Sequence, residues 1–135
     1  MVRTATWATI SDVRFDETDL AAMTAAEEVR IETRAPGGPV HRTIIWIMVR
    51  DGTVLVRSVR GERGRWHREA LANPTVAIHV DGRRIEARAV PASDPASIDA
   101  ASAALRDKYR HDPALRSMLR EETLTTTLRL EPAPT

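Results

Sequence analysis

Four arginines, two glycines, a serine, a tryptophan and a histidine stand within the eleven residues Arg57-Ser58-Val59-Arg60-Gly61-Glu62-Arg63-Gly64-Arg65-Trp66-His67. These types at this spacing suit the binding of an anion. The first N–H groups of a helix have no partner within it and point outward, glycine lets a phosphate approach the main chain, and an arginine fork offers paired donors. Ser58 adds a hydroxyl and Trp66 a flat face on which a ring or a guanidinium can stack. His67 is the one group here that titrates near neutrality, which makes it the candidate acid or base. The competing reading is a solvated loop in which Glu62 and Glu69 pair with some of the arginines. The Ser-x-x-Gly-x-x-Gly spacing after a strand argues against it. Trp66 taken alone reads as a core anchor before it reads as a stacking platform. His41, beside Arg42 and Thr43, is either a second wall of the same pocket or an ordinary polar strand start.

Other chemistries find less support. With no cysteine there are no disulfides or thiolate metal sites. His79 and His111 have no partner at metal-ligand spacing and default to structural roles, so no metal is expected. A triad drawn from Ser58, His67 and Asp81 lacks a nucleophile elbow. The carboxylates of Glu27-Glu28 and Glu121-Glu122 are adjacent in sequence, which gives diverging side chains rather than a glycosidase pair. Net charge is +1, so the general field of a nonspecific nucleic-acid binder is missing. Of the 20 basic residues only Lys108 is lysine, an imbalance read as compositional bias.

The elements that must position the basic turn can be read from local rules. After an irregular start, Asp16 or Thr18 caps a helix through Leu20 and Met23 that ends near Glu28. Val29 to Arg34 forms a strand, and Ala35-Pro36-Gly37-Gly38-Pro39 a rigid turn. The apolar run Thr43 to Val49 reads as one strand covered on both faces. Asp51-Gly52 returns it to a third strand over Thr53 to Val59, and Asp81-Gly82 joins Thr75 to Val80 with Arg83 to Val90. Between these hairpins Arg65 to Ala72 is helical and stops at Asn73-Pro74. Asp94-Pro95 starts a helix that ends around Arg110, a short helix covers Pro113 to Arg120, and Leu124 to Leu130 alternate as the last strand, closed by Pro132 and Pro134. The expectation is a mainly β protein with helices (α+β): a six-stranded antiparallel barrel, closed or nearly so, as one domain over residues 1–135. Its 42% apolar content fills one core, thin in aromatics. No stretch approaches the roughly 20 apolar residues of a membrane span, and no secretory signal is visible, so a cytoplasmic protein with no membrane partner is expected. The thin core and the two-sided strand point to a homodimer.

The order strand, Asp-Gly, strand ending Arg57-Ser58-Val59-Arg60-Gly61, then Arg65-Trp66-His67 leading to Leu71-Ala72-Asn73-Pro74, resembles the flavin-reductase-like (FMN-binding) split-barrel superfamily over most of the chain. Within it, Val56-Arg57-Ser58-Val59, Gly64-Arg65-Trp66, Lys108-Tyr109 and Thr127-Leu128-Arg129-Leu130 resemble an uncharacterised bacterial domain-of-unknown-function family related to deazaflavin-dependent nitroreductases. The resemblance implies a split barrel and a homodimer holding FMN or a deazaflavin between subunits. By position it implies that Arg57, Ser58, Arg60 and Gly61 hold cofactor phosphate and that Arg65, Trp66 and His67 start the helix behind it. Arg42 and Thr43 would meet the phosphate or the ring. The early strands lack the oxidase-type lysine, and the Gly-Arg-Lys-Ser/Thr-Gly loop of the deazaflavin group is replaced by Ala35-Pro36-Gly37-Gly38-Pro39, which leaves the cofactor open. The implied function is a flavin- or deazaflavin-dependent oxidoreductase acting on a small molecule. The alternatives are a cofactor-independent cyclase, isomerase or lyase using His67 or Asp81 as acid or base, and a non-catalytic small-molecule-binding protein.

Overall fold

Both Asp-Gly pairs make the tight turn that their residues favour. Asp51 and Gly52 adopt φ of 53° and 80°, Asp81 and Gly82 of 52° and 73°, the left-handed pairs that match the twist of a two-residue hairpin. They join β3 (Met48–Arg50) to β4 (Thr53–Val56) and β5 (Thr75–Val80) to β6 (Arg83–Pro91). The structure, a computed structural model, describes residues 14–133; most of the irregular start and Pro134 lie outside them. Helix α1 (Glu17–Ala25) begins where the Asp16 carboxylate accepts the Asp19 N–H at 2.8 Å. It leads into β1 (Val29–Arg34) and β2 (Val40–Ile45). Helix α2 (Arg65–Ala72) links the hairpins. Helix α3 (Pro95–Lys108), capped by Asp94, precedes two single helical turns, α4 (Leu115–Met118) and α5 (Glu121–Leu124), and β7 (Leu128–Pro132).

All pairings are antiparallel, in the order β2-β1-β5-β6-β7-β4-β3. The two edges of this sheet, β2 and β3, are neighbours in the chain, separated only by Trp46 and Ile47. The sheet therefore curls into a half-barrel whose edges meet at a two-residue break. The expected six strands are seven because the run Thr43 to Val49, read as one strand, is divided there. Its two-sided apolar character has a source within the same chain. Ile45 and Ile47 face the barrel interior with Ile31, Val54, Ile78 and Leu130, while Met48 meets Ala101, Ala104 and Leu105 of α3 in a second apolar cluster.

The break leaves the N–H and C=O of Ile47 outside any ladder. The end of α3 supplies both partners. The Ile47 N–H donates to the Tyr109 hydroxyl at 3.2 Å, and the Lys108 ammonium donates to the Ile47 carbonyl at 2.8 Å. The same two side chains reach α1 and the residues after it: Lys108 donates to the Met23 carbonyl at 3.1 Å and Tyr109 to that of Glu27 at 2.7 Å. Trp46 stacks flat on Tyr109, with ring centroids 3.9 Å apart. Burial pushes Lys108 down to about 8 and Tyr109 up to about 12.

β4 ends at Val56 rather than Val59. Thr126 and Thr127, fully buried, draw the next residues inward: the Ser58 N–H donates to Thr126 Oγ1 and Arg57 Nε to Thr127 Oγ1. Both threonines also donate to carbonyls of α5. The Leu/Thr alternation from Leu124 thus reflects hydroxyls spent on a turn, and β7 begins only at Leu128 and runs through Pro132. In the basic turn itself, Gly61 is needed at φ +66°, where a Cβ would stand 2.9 Å from the Glu122 carbonyl oxygen. At Gly64 a Cβ would run into the Ser58 hydroxyl, which donates to the Gly61 carbonyl at 2.8 Å. Among the described residues no helix is long and apolar enough to cross a membrane.

Tyr109→Phe leaves the Ile47 N–H and the Glu27 carbonyl unpaired, and should cost about 1–3 kcal/mol in denaturant unfolding. Because the folded state disfavours the Lys108 charge, the unfolded chain binds more protons between about pH 8 and the ordinary lysine value, and stability should rise with pH across that window. The raised Tyr109 acts in the opposite sense, so stability should fall between its ordinary value and about pH 12. Unfolding curves of the wild type and Lys108→Met against pH separate the two. Gly64→Ala, at a φ of −61° that alanine tolerates, should cost about 1–3 kcal/mol through overpacking. In a Ser58→Ala background the same change should cost markedly less, as a double-mutant cycle would read.

Candidate functional site

Arg57 leaves the end of β4 pointing into the protein and is the largest of its fully buried side chains, 1% exposed. Its guanidinium donates to Thr127 Oγ1 (3.1 Å), Ser102 Oγ (3.1 Å), and the carbonyls of Met118 (3.3 Å) and Ile98 (3.2 Å). Every one of these partners is neutral. The nearest charge acting on it is that of Arg106, of the same sign, and burial with this repulsion brings Arg57 down to about 10. A guanidinium at that value remains charged at neutral pH. Among the described residues the fold thus buries a fixed positive charge without a counter-ion, an arrangement that costs free energy unless something compensates it.

A pocket of about 540 Å³ opens over this charge. One wall is Thr43, Ile44, Ile45 and Trp46, from the end of β2 and the break. The opposite wall is Ser58, Val59 and Arg60, then Gly64, Arg65 and Trp66 at the start of α2, while Ala114 and Met118 close a third side. The lining is mainly aliphatic and aromatic; besides Arg57 its charged groups among the described residues are the exposed arginines Arg60 and Arg65 and the exposed carboxylate of Glu28. Thr43 Oγ1 is sealed from solvent and has no hydrogen-bond partner.

Six of the residues expected at the site, Thr43, Arg57, Ser58, Arg60, Arg65 and Trp66, do line this one pocket. Their roles differ from the expectation in part. Four hydrogen bonds within the protein occupy Arg57, so it acts through its charge rather than as an open fork. The Ser58 hydroxyl is spent on Gly61. Trp66 is both core anchor and pocket wall, 6% exposed among the barrel residues.

Three expected residues lie elsewhere. Arg42 is exposed on the other face of β2, its Nε 4.0 Å from Glu32, because alternation along the strand puts His41, Thr43 and Ile45 on the inner face. Gly61 is buried against Glu122 and does not line the pocket. His67 faces a different cavity on the far side of α2, since neighbouring helix residues point about 100° apart. Asp81, the alternative acid or base, occupies a hairpin turn and lines another cavity.

His41 is neither free nor solvated. Its Nδ1 lies 3.0 Å from the buried Glu69 carboxylate, which also accepts the Thr33 hydroxyl at 2.7 Å. Burial works to raise Glu69, but the hydrogen bonds from Thr33 and His41 outweigh it and hold the group below its ordinary value. Glu69 therefore ties α2 to β1 and β2, and the positive charge of Arg65 also acts on it. His79 has the structural role expected of it, 2.7 Å from Glu32. Glu32 is held at about 2, chiefly by its hydrogen bond from Arg84, against the effect of burial.

Sequence reasoning missed Trp46, Ala114 and Met118. The apolar run carried a signal for Trp46. Nothing local marks Ala114 or Met118, which reach the pocket only because α4 folds back over Arg57.

Residues 19–130 match the model of a family described as an uncharacterized protein conserved in bacteria, DUF2255, and the chain belongs to that family. No curated protein sequence matches it. Several solved structures share the fold. A conserved hypothetical protein, Rv2991, from Mycobacterium tuberculosis is 15% identical with a TM-score of 0.65, over 91% of this chain and 82% of its own. The heme storage protein HutZ from Vibrio cholerae is 11% identical with a TM-score of 0.64, over 90% and 92%. An F420-H2 dependent reductase is 14% identical with a TM-score of 0.62, over 78% and 94%. At such identities the likeness is one of fold.

Proposed function

We propose that this member of the DUF2255 family is an oxidoreductase that holds FMN or a deazaflavin in the pocket over Arg57 and works as a homodimer on a small-molecule substrate. The observation that carries the reading is the buried guanidinium, which has no counter-ion among the described residues: a pocket built over an uncompensated positive charge favours an anionic or electron-rich guest. The residues present fit such a cofactor. About 540 Å³ falls within the roughly 300–1,000 Å³ usual for small-molecule sites. Ile44, Ile45, Trp46 and Met118 offer apolar walls to a flat ring, and Arg60 and Arg65 stand where a phosphate would be held. An F420-H2 dependent reductase among the proteins of this fold adds support.

When bound, the cofactor supplies the hydride chemistry. The chain's own residues bind and orient. The buried Arg57 charge would favour an electron-rich group above it, Arg60 and Arg65 would hold the phosphate, and Ile45 and Trp46 would exclude water from the pocket. No side chain is required as a nucleophile. Ile44 (56% exposed) and Val59 (45% exposed) stand at the pocket wall as large apolar groups in contact with water. A second subunit covering them would complete the site. The acid–base alternative has less behind it, because His67 and Asp81 line other cavities.

Fluorescence titration of the purified protein with riboflavin phosphate, with riboflavin and with a reduced deazaflavin tests this. A phosphorylated cofactor should bind at micromolar concentration, and Arg60→Ala or Arg65→Ala should each weaken it about tenfold or more, as charge-assisted hydrogen bonds of roughly 1.5–3 kcal/mol imply. Indifference to the phosphate, or no binding of any of the three, would sink the reading.

A further inference from the structure

We infer that the cavity on the far side of α2 is a second binding site, which receives a small, largely apolar molecule whose carbonyl oxygen accepts a hydrogen bond from His67. The cavity, about 420 Å³, is lined by Glu62, His67, Leu71, Pro91, Thr125 and Leu128. It is separate from the pocket over Arg57. Trp66 and His67 are consecutive on α2, yet their rings stand at 88° with centroids 6.0 Å apart, and each faces a different cavity.

His67 is the unexplained group there. It is 3% exposed, and its Nδ1 is sealed from solvent with no hydrogen-bond partner among the described residues. Buried polar atoms are nearly always paired, and one left unpaired costs about 1–3 kcal/mol. A sealed lone pair is the less costly of the two ways to leave Nδ1 orphaned, so the ring proton belongs on Nε2. Burial lowers His67 from its ordinary value, against a weaker upward pull from Glu62, which keeps the imidazole neutral. The one N–H donor the ring can offer is then Nε2, which has no hydrogen-bond partner among the described residues, and His67 lines the cavity.

The surroundings select the guest. Leu71, Pro91 and Leu128 provide an apolar cradle, and Leu71, 52% exposed, leaves its rim open. Glu62, whose carboxylate accepts the Thr125 hydroxyl at 3.2 Å, places negative charge beside the cavity and opposes a carboxylate or phosphate. What remains is a neutral acceptor on an apolar body, such as a ketone, an ester or an amide.

The test uses the full chain and ring-nitrogen NMR of His67, with cyclohexanone, methylcyclohexane and cyclohexanecarboxylate as probes. Cyclohexanone should shift the Nε2 resonance together with the Leu71 and Leu128 methyls. It should bind about five- to tenfold tighter than methylcyclohexane, the worth of one net hydrogen bond, with the carboxylate weakest. His67→Phe should keep the hydrocarbon and lose the preference for the ketone. Equal binding of ketone and hydrocarbon by the wild type overturns the proposal, whether or not the variant folds. So does an Nε2 signal that reports only a trapped water and does not respond to the ketone. Riboflavin phosphate binding is unaffected by either outcome, so this site and the pocket over Arg57 stand or fall separately.

Discussion

The two main-chain groups of Ile47 are the point on which this fold turns. A sheet that curls far enough to bring its edges together must stop hydrogen bonding where they meet, and the stop falls at Trp46 and Ile47, where one edge passes into the other. An N–H and a C=O left unpaired in a buried place would each cost free energy comparable to a lost hydrogen bond. The chain's sole lysine and its sole tyrosine, side by side at the end of α3, remove that cost. The same contacts anchor α3 across β3 and β4 and hold α1 in place through the carbonyls of Met23 and Glu27. They also fix Trp46, which then serves as a pocket wall. One break in one ladder thus sets the curl of the sheet, the seat of a helix and the mouth of the candidate site.

The second constraint is electrostatic. Arg57 is enclosed by hydroxyls and carbonyls, which satisfy its geometry but leave its charge uncompensated. Replacing a buried ion pair by apolar groups is often stabilising, so stability gives little reason to keep a lone buried cation. A ligand does. The pocket over that charge is walled mainly by apolar side chains, with Arg60, Arg65 and Glu28 as its other charged groups, and under the proposed function this combination suits a flat conjugated ring carrying an anionic tail. The relatives of this fold include proteins described as reductases and as a heme storage protein, and under the proposed function the first kind of chemistry is the one assigned to this pocket.

Much of the fold was legible because it follows from contacts within a few residues. Both Asp-Gly hairpins, the caps at Asp16 and Asp94 and the limits of α2 depend on local backbone preferences, and each stands where its residues put it. The break at Trp46 was hidden for a physical reason. Alternation of side chains continues through it, and both faces of the run are covered, so no periodic signal marks the change of edge. The Leu/Thr alternation after Leu124 misled in the opposite way, since buried threonines that cap a turn look like the polar face of a strand. At the site, the residue types of the basic turn gave its location. Which arginine turns inward depends on Thr126 and Thr127, about 70 residues away in the chain, and no local pattern carries that.

The side of α2 on which His67 lies follows the same lesson in helical form. A one-residue step along α2 moves a side chain from one cavity to another, so Trp66 and His67, read together in sequence as parts of one site, belong to two. Conversely Thr43 lines the pocket while Arg42, one residue earlier on β2, lies beside Glu32. Such steps are decided by which face packs, and they separate an anion-binding segment from an anion-binding site.

The most direct measurement is a crystal structure of the protein grown with riboflavin phosphate. The account predicts the ring between Trp46 and the start of α2, over the buried Arg57, with the phosphate against Arg60 and Arg65 and a second copy of the chain covering Ile44 and Val59. A phosphate bound instead among the arginines of the outer sheet face, with the pocket over Arg57 holding only water, would contradict it.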